Sequence, residues 1–481
     1  MLFNSLEFLF IFLSIVLVAY YTVRRHLGHD AALSVLTLAS IIFYGYWNIS
    51  FIPLLLGSVL INYLLAHTIR QRGNQPWLAI GIVFNLGLIA LFKYAGFFVA
   101  NINAITPLDV PDPNLILPLA ISFFTFQQIS YLVDVSRGES EPGKLLNHTV
   151  YVTFFPQLIA GPIVRHNQIA DQIADGKRKE DLGSNLSIGM TIFAIGMAKK
   201  ILLADTLEPF AASGFDVAAA GGEVGALQAW TSAVCYSFQI FFDFSGYSDM
   251  AIGLGRMFGF HLPANFNAPY RATSVVDFWH RWHITLSRFL RDYLYIPLGG
   301  NRKGEHRRLI NLFIVMLLGG LWHGAAWTFV IWGGLHGLGL VWCHWIDRVR
   351  PNGLFPNMRW LAAALTFLFV TFAWVFFRAE NFDAAGSMLA GMAGFNGLGA
   401  GVGDEPFIGI ALGLIIVWTL PDTISVFSKY LSGPTLSGVR SQLQDGWRWK
   451  PGTLSAIGVA TLFFIAIINS WTIAEFIYYQ F

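Results

Sequence analysis

The feature that most constrains this chain is a series of apolar segments, each long enough to cross a lipid bilayer. A helix needs about 20 predominantly apolar residues to span the hydrocarbon core of a membrane. Segments of this kind recur along the whole sequence and predict twelve spans. They lie near residues 5–23, 32–48, 51–68, 77–100, 115–134, 185–203, 226–256, 309–327, 328–346, 359–377, 406–428 and 454–478.

The composition agrees with a membrane protein. Hydrophobic residues make up 55% of the 481 residues and charged residues only 12%, whereas soluble domains carry about 25% charged residues. A net charge of +2 gives no sign of a nucleic-acid partner. Cys235 and Cys343 lie in apolar segments and are expected to be packed thiols. We predict an all-α polytopic protein of about 11 or 12 transmembrane helices, with residues 1–481 in a single membrane domain.

The distribution of charge predicts which loops face the cytoplasm. Arginine and lysine follow the first, third and fifth segments, and the loop at 259–308 is the most basic stretch. The loops at 101–114 and 205–225 carry acidic residues but no lysine or arginine. Because cytoplasmic loops are enriched in Lys and Arg, the N-terminus is predicted to lie outside. Segment 148–164 contains two prolines and is a candidate re-entrant segment, whose backbone must be buried in protein.

Within the basic cytoplasmic segment 259–308, residues 275–300 have the pattern of one amphipathic interfacial helix. Asp277 and Arg281 are four residues apart, as are Arg288 and Asp292, so each pair can meet on a helix surface. A basic helix with an aromatic face lies at the membrane surface or beneath a bundle. The predicted apolar face consists of Trp279, Trp282, Leu286, Phe289, Leu290 and Tyr293.

Histidines inside the predicted membrane region are the best candidates for chemistry. His323 and His336 lie in the stretch 317–337, which is rich in glycine and tryptophan and contains no carboxylate. An ionisable residue within a span is costly and indicates function. A neutral histidine can accept a proton as a general base. The alternative for each residue is a packed histidine bonded to a carbonyl.

Two further groups of polar residues are candidates. His280, His283 and Ser287 would share one face of the predicted interfacial helix, from which His283 could reach a cavity; alternatively, they only interact with lipid headgroups. Asp243 and Asp249 lie at a predicted span and either form a polar cavity or pair with nearby arginines. The sequence shows no metal-binding spacing, phosphate-binding loop or dinucleotide fingerprint.

Three motifs, taken in order, resemble the membrane-bound O-acyltransferase family. The resemblance is strongest to the bacterial branch that contains the membrane subunit of alginate O-acetylation. It covers nearly the whole chain, including Lys93–Tyr94 and segment 154–165. The motifs are FFDFSGYSDMAIGLG (241–255), FWHRWHITLSRFLRDYLYIPLGGNRKG (278–304) and LLGGLWHG (317–324).

The resemblance implies a fold and a set of site residues. The family fold has helices, with re-entrant and interfacial segments, around a thin central zone that funnels reach from both faces. The catalytic positions fall on His323, within the membrane-embedded segment 309–346, and on His283. Where relatives often have arginine, this chain has His280, which leaves any donor contact there open. The residues expected to bind substrate or donor are Arg281, Arg288, Arg291, Ser287, Trp322 and Asp249.

The resemblance also implies an activity. An acetyl group would pass from a cytoplasmic thioester, acetyl-CoA or another acetyl thioester, across the bacterial inner membrane to O-acetylate an exopolysaccharide. Alginate is the first expected polymer, with cellulose or another surface glycan as alternatives. No bound cofactor or metal is expected. The expected partners are a periplasmic or membrane-anchored transferase of SGNH type, a polysaccharide synthase or export complex, and the bilayer, with no nucleic acid.

Two other classes of function remain open. The chain could export or flip an acylated carrier without bond chemistry, although it shows no internal repeat of the kind typical of transporters. It could also be a scaffold for a synthase complex, which would tolerate the loss of His323.

Overall fold

The computed structural model describes residues 1–73, 75–175, 181–350, 355, 357–399, 401–431, 448–470 and 476–477. Over these residues the chain is built from α-helices and contains no β-strand. The helices are α1 (Leu13–His26), α2 (His29–Gly45), α3 (Ile52–Arg72), α4 (Gln75–Ile89), α5 (Ala95–Ile105), α6 (Ile121–Arg137), α7 (Leu145–Thr153), α8 (Phe155–Leu158), α9 (His166–Ala174), α10 (Leu182–Ala198), α11 (Asp205–Ala219), α12 (Ala226–Met257), α13 (Val275–Arg281), α14 (Ile284–Leu290), α15 (Glu305–His323), α16 (Trp327–Val349), α17 (Arg359–Arg378), α18 (Phe382–Met392), α19 (Glu405–Thr419), α20 (Thr423–Val426) and α21 (Thr453–Ile468).

Short segments of tighter or wider helix adjoin these elements. The π-helical segments are Glu7–Phe12, Ala90–Tyr94, Lys199–Ala204 and Arg291–Tyr295, and the 3₁₀ turns are Ile49–Phe51 and Pro269–Arg271.

The predicted all-α membrane fold is confirmed. Within the described residues, seven helical runs are long and apolar enough to cross a membrane, and α2 and α21 are shorter apolar helices. The other three predicted spans coincide with α6, α12 and α15, which carry buried polar residues. Of the last predicted span, 471–475 and 478 lie outside the described residues. The seven runs are Glu7–His26, Ile49–Arg72, Pro76–Ile105, Leu182–Ala219, Trp327–Val349, Arg359–Arg378 and Glu405–Val426.

A long antiparallel helical hairpin forms the centre of the protein. The helix from Leu182 to Ala219 packs against the almost fully buried α12. Their backbones touch at glycines: a Cβ on Gly196 would lie 2.5 Å from the carbonyl oxygen of Gly246. The predicted loop at 205–225 is therefore wrong over most of its length. Asp205, Glu208 and Asp216 belong to α11, which continues the preceding helix, and Asp205 pairs with a lysine instead of marking a helix end; Glu223 lies after α11.

The candidate re-entrant segment is two short helices, α7 and α8, followed by irregular chain. Every residue from Val150 to Val164 is buried. Its backbone finds partners in the protein, as irregular backbone at membrane depth requires. The amide of Phe155 donates to Ser40 Oγ (3.1 Å) and that of Ile163 donates to Thr285 Oγ1 (3.0 Å).

The basic segment is not the single helix that the sequence predicts. It breaks at Trp282 and His283 between α13 and α14, and His283 adopts the left-handed conformation at φ 41°. The predicted common face of His280, His283 and Ser287 is therefore wrong, since His280 is exposed while His283 is buried. The cause is a set of hydrogen bonds to a distant asparagine, described with the site below.

The two ion pairs predicted on this segment have different outcomes. Arg281 Nε does donate to Asp277 Oδ1, at 2.7 Å. Asp292 bonds instead with Arg165 and Arg291, so its predicted pairing with Arg288 is wrong. The reason is that Arg291–Tyr295 is π-helical and that Arg165 approaches from another part of the chain.

Loops predicted to share a face of the membrane contact one another. Lys144 pairs with Asp30 and Arg70 with Glu141 on the basic face. Trp327 Nε1 donates to Asn101 Oδ1 among the opposite loops, at 2.8 Å. The orientation of these two faces relative to the cell stays a prediction.

Candidate active site

His323 is the last residue of α15 and is 3% exposed. Its ring lies 5.0 Å from that of Trp332 and 5.3 Å from that of Phe377, measured between ring centroids. Glycines bring α15 against α16: a Cβ on Gly320 would lie only 2.2 Å from the carbonyl oxygen of Phe329. The direct contact of the two backbones fixes where α15 ends and where His323 stands.

His283 is fully buried and faces the same zone. Its ring centroid lies 6.5 Å from that of His323 and 4.8 Å from that of Phe244. The helix break described above turns His283 inward from the otherwise basic segment. The two histidines that the family resemblance singled out are thus brought together, although their catalytic roles stay a prediction.

Asn265 holds His283 in place, and sequence reasoning did not identify it. Its Oδ1 accepts hydrogen bonds from the backbone amide and hydroxyl of Thr285, at 3.3 and 2.9 Å, and lies 3.1 Å from His283 Nδ1. The backbone N–H of Thr285 can only donate, so the Asn265 side-chain atom that faces it is assigned as the oxygen Oδ1. His283 Nδ1 therefore carries the proton, and Nε2 is left as an acceptor.

A cavity of about 840 Å³ lies just before α15 begins. The cationic side chains that line it are Arg137, Arg165, Arg302 and Lys303. Burial raises the pKa of Asp292, which also lines the cavity, but hydrogen bonds from Arg291 and Arg165 outweigh this and hold the pKa below its usual value. Glu139 also lines the cavity, so four cationic side chains face two carboxylates and the lining keeps a net positive charge.

A row of aromatic rings connects this cavity to His323. Arg165 lies over the ring of Tyr293, with its guanidinium carbon 5.0 Å from the centroid. From there each ring contacts the next at centroid distances between 4.3 and 5.1 Å. The row runs Tyr293, Phe289, Phe126, Trp322 and His323.

A second cavity, of about 470 Å³, lies at the opposite end of α15. Phe329 and Phe377 form one wall, and the Phe377 ring also contacts His323. The lining also contains a buried ion cluster, in which Lys200 Nζ lies 2.6 Å from Asp205 Oδ1 and 2.8 Å from Asp243 Oδ1.

Two buried hydroxyls also line this second cavity. Those of Tyr236 and Thr328 have no hydrogen-bond partner among the described residues. A small polar group that entered the cavity could bond to them.

Of the other predicted site residues, some lie beside His323 and others do not. Trp322 contacts the His323 ring, with 4.9 Å between centroids. Arg281, Arg288 and Arg291 do not line the basic cavity; the sequence missed the Arg137, Arg165, Arg302 and Lys303 that do. Ser287 donates to the carbonyl of Trp282, at 3.4 Å.

The carboxylates of α12 and the second membrane histidine have structural partners. Asp249 accepts from Lys199 Nζ at 2.7 Å, and Asp243 bonds with Lys200. The aspartates thus pair within the bundle, with lysines instead of the arginines that the sequence suggested. His336 Nδ1 accepts a hydrogen bond from Trp279 Nε1 at 3.2 Å, which supports a packed role. Among the described residues no group of three His, Cys, Asp or Glu side chains could hold a metal ion.

Comparison with known proteins bears on this site. Residues 136–382, which include both histidines, match the model of the membrane-bound O-acyltransferase family. A peptidoglycan O-acetyltransferase of Helicobacter pylori is 43% identical over 83% of this chain and 81% of its own length. A probable alginate O-acetylase of Pseudomonas putida is 42% identical over 82% of this chain and 81% of its own length. A teichoic acid D-alanyltransferase of Bacillus subtilis is 28% identical over 67% of this chain and 83% of its own length.

Proposed function

Because this chain belongs to the membrane-bound O-acyltransferase family, we propose that it moves an acetyl group from a cytoplasmic thioester across the membrane for O-acetylation of an exopolysaccharide. O-acyl transfer itself follows from the family and its O-acetyltransferase relatives. The observation that carries the proposal is the position of His323. It is buried at the end of α15, with a basic cavity before the start of that helix and a second, smaller cavity beyond its end.

The basic cavity suits the activated donor. Guanidinium and ammonium groups bind phosphate oxygens through charge-assisted hydrogen bonds, and Arg137, Arg302 and Lys303 supply them here. The donor is acetyl-CoA or another acetyl thioester that carries phosphate. The aromatic row between this cavity and His323 gives the acetyl end an apolar, water-poor surround, which limits hydrolysis.

His323 acts as a general base in this mechanism. It takes the proton from an acceptor hydroxyl, whose oxygen attacks the thioester carbonyl. The carbon–sulfur bond then breaks, and the thiolate leaves with the proton that His323 returns. A general base of this kind contributes about 10²–10⁴-fold. His283 provides a second acceptor nitrogen and orients the incoming hydroxyl.

The second cavity limits the size of the acceptor. At about 470 Å³ it has the size of a small-molecule site, which suits one hydroxyl-bearing group better than a polysaccharide strand. We therefore propose that the acetyl group passes to a separate periplasmic or membrane-anchored transferase of SGNH type, within a polysaccharide synthase or export complex of the bacterial inner membrane.

Alginate is the polymer that we propose. Its support is the 42% identity with a probable alginate O-acetylase over most of both chains. Peptidoglycan is the second candidate, because the peptidoglycan O-acetyltransferase of Helicobacter pylori is 43% identical over a similar length. Measuring O-acetyl groups on both polymers, in host cells with and without this chain, separates the two candidates.

The test of the proposal is acetyl transfer by the His323→Ala variant. We expect polymer acetylation in cells and thioester-dependent transfer by the purified protein to fall at least 10²-fold, while the amount of membrane protein stays normal. His26→Ala is the matched control, because His26 is exposed at the end of α1 and is not among the candidate site residues. Retained transfer in the His323→Ala variant would move the chemistry elsewhere. Movement of an acylated carrier by purified wild-type protein without any bond exchange would support the exporter alternative.

A further inference from the structure

Two side chains from a distant part of the sequence hold the end of α15. Tyr94 Oη donates to the carbonyl oxygen of Leu321 at 2.7 Å. Lys93 Nζ donates to the carbonyl oxygens of Trp322 at 2.6 Å and of His323 at 3.0 Å. Three consecutive carbonyls, including that of His323 itself, are therefore bound by a pair of adjacent side chains.

These contacts supply hydrogen-bond partners for backbone carbonyls at the end of α15. The last carbonyls of any α-helix have no partner within the helix, and a buried carbonyl that is left without a partner costs free energy. After His323 the chain continues in extended conformation at Gly324. The ammonium of Lys93 also stands at the negative end of the helix dipole, where a cation is favoured.

The local structure of the Lys93 segment explains how Lys93 and Tyr94, which are adjacent in sequence, both reach the end of α15. Lys93 and Tyr94 close the π-helical segment Ala90–Tyr94, between α4 and α5. A π-helical turn changes the directions of successive side chains, and such turns recur at functional sites. Lys93 also lies over the ring of Trp322, 5.9 Å from its centroid, so it fixes the side chain next to His323 as well as the backbone.

We propose that Lys93 and Tyr94 are positioning residues for the acyl transfer, acting through the backbone of His323. The inference rests on the proposed role of His323 as general base. Both residues bond to backbone carbonyls at the end of α15, and through this backbone they determine where the imidazole stands relative to His283 and the incoming hydroxyl. A displacement of about 1 Å in such a site costs about 10²-fold in rate.

Two variants separate positioning from general stability. Lys93→Met keeps the length of the side chain and removes the ammonium, and Tyr94→Phe removes only the hydroxyl. For Lys93→Met we expect kcat per folded protein to fall about 10- to 100-fold with the donor KM unchanged, and for Tyr94→Phe a fall of about 3- to 10-fold. Lys144→Met and Tyr46→Phe, at exposed positions, are the matched controls and should keep the wild-type kcat.

Chemical rescue provides a readout that a purely structural role would not move. In a Lys93→Cys variant, alkylation with 2-bromoethylamine recreates an ammonium at nearly the original length, whereas iodoacetamide adds a neutral group. Position 93 lines a cavity with residues of the 112–116 loop, which gives the reagent access. Aminoethylation should restore at least a tenfold higher kcat than carbamidomethylation. Wild-type protein treated in parallel controls for reaction at Cys235 and Cys343.

The outcomes are distinct when His323→Ala is assayed alongside. If His323→Ala keeps its activity, the proposed function fails. If His323→Ala is inactive and Lys93→Met keeps the wild-type kcat, the positioning inference alone is overturned. A rise in donor KM that accounts for the whole effect would also overturn it, because Lys93 would then bind the donor.

Discussion

Replacing Gly320 with alanine tests whether the contact between α15 and α16 positions His323, the proposed general base. The new methyl carbon would stand 2.2 Å from the carbonyl oxygen of Phe329, where ordinary contacts begin at 3.4 Å. The two backbones must therefore separate by about 1 Å. No rotamer change can relieve the clash, because the obstacle is backbone. Overpacking of this kind costs about 1–3 kcal/mol of stability. Gly320 lies three residues before His323, so the same shift moves the imidazole and should lower the rate about 10²-fold.

The control for this prediction is alanine at Gly334, on the facing helix. Its methyl carbon would meet only the side chain of Leu317, at 3.4 Å, which is an ordinary contact. Both variants gain the same helix propensity of about 1 kcal/mol, so the comparison isolates the clash. Each purified variant is assayed for thioester-dependent acetyl transfer per folded protein, and its melting temperature is recorded. Equal rates for the two variants would refute the argument that this glycine contact positions His323.

Two further predictions concern buried polar groups. Asn265→Ala removes the acceptor of the His283 Nδ1 proton and of the Thr285 amide and hydroxyl, and kcat per folded protein should fall 10-fold or more. An unchanged kcat would exclude the assigned tautomer from the mechanism. Lys200→Met leaves the 1% exposed side chain of Asp243 without its cation and should cost about 3–5 kcal/mol of stability. By contrast, Arg348→Gln breaks an ion pair whose arginine is 70% exposed and should cost at most about 1 kcal/mol. Thermal unfolding in detergent gives both values, and similar losses in the two variants would contradict the burial argument.

The sequence predicts the helices better than it predicts how they are joined. Apolar runs mark every predicted span because lipid-facing and core-facing residues are both apolar, and each of the twelve coincides with a helix in the described residues. Charged residues mislead the prediction of loops where they form ion pairs inside the bundle. Asp205 suggests a loop in the sequence, but in the structure it belongs to a helix and bonds with Lys200. An acidic residue that marks a loop and one that forms a buried ion pair look the same without knowledge of the partner.

The candidate site is also only partly predictable, because its geometry depends on residues that are distant in sequence. His323 and His283 were found from motifs, yet the inward turn of His283 depends on Asn265, which lies outside those motifs, 18 residues earlier. Amphipathic periodicity predicted an uninterrupted helix there because the apolar pattern continues through the break. Lys93 is separated from the carbonyls that it binds by about 230 residues. Contacts of this range leave no local signal in a single sequence.

Under the proposed function, the charges that line the two cavities favour different ligands and therefore one direction of transfer. A thioester donor that carries phosphate gains from Arg137, Arg302 and Lys303 in the first cavity. Among the described residues that line the second cavity, the cations are Lys200, which Asp205 and Asp243 already surround, and Arg378, while Glu208 and Glu380 add negative charge. The same donor would be repelled there, but a neutral hydroxyl would not. His323 stands between the two cavities, and each reactant can therefore approach it favourably from one side only.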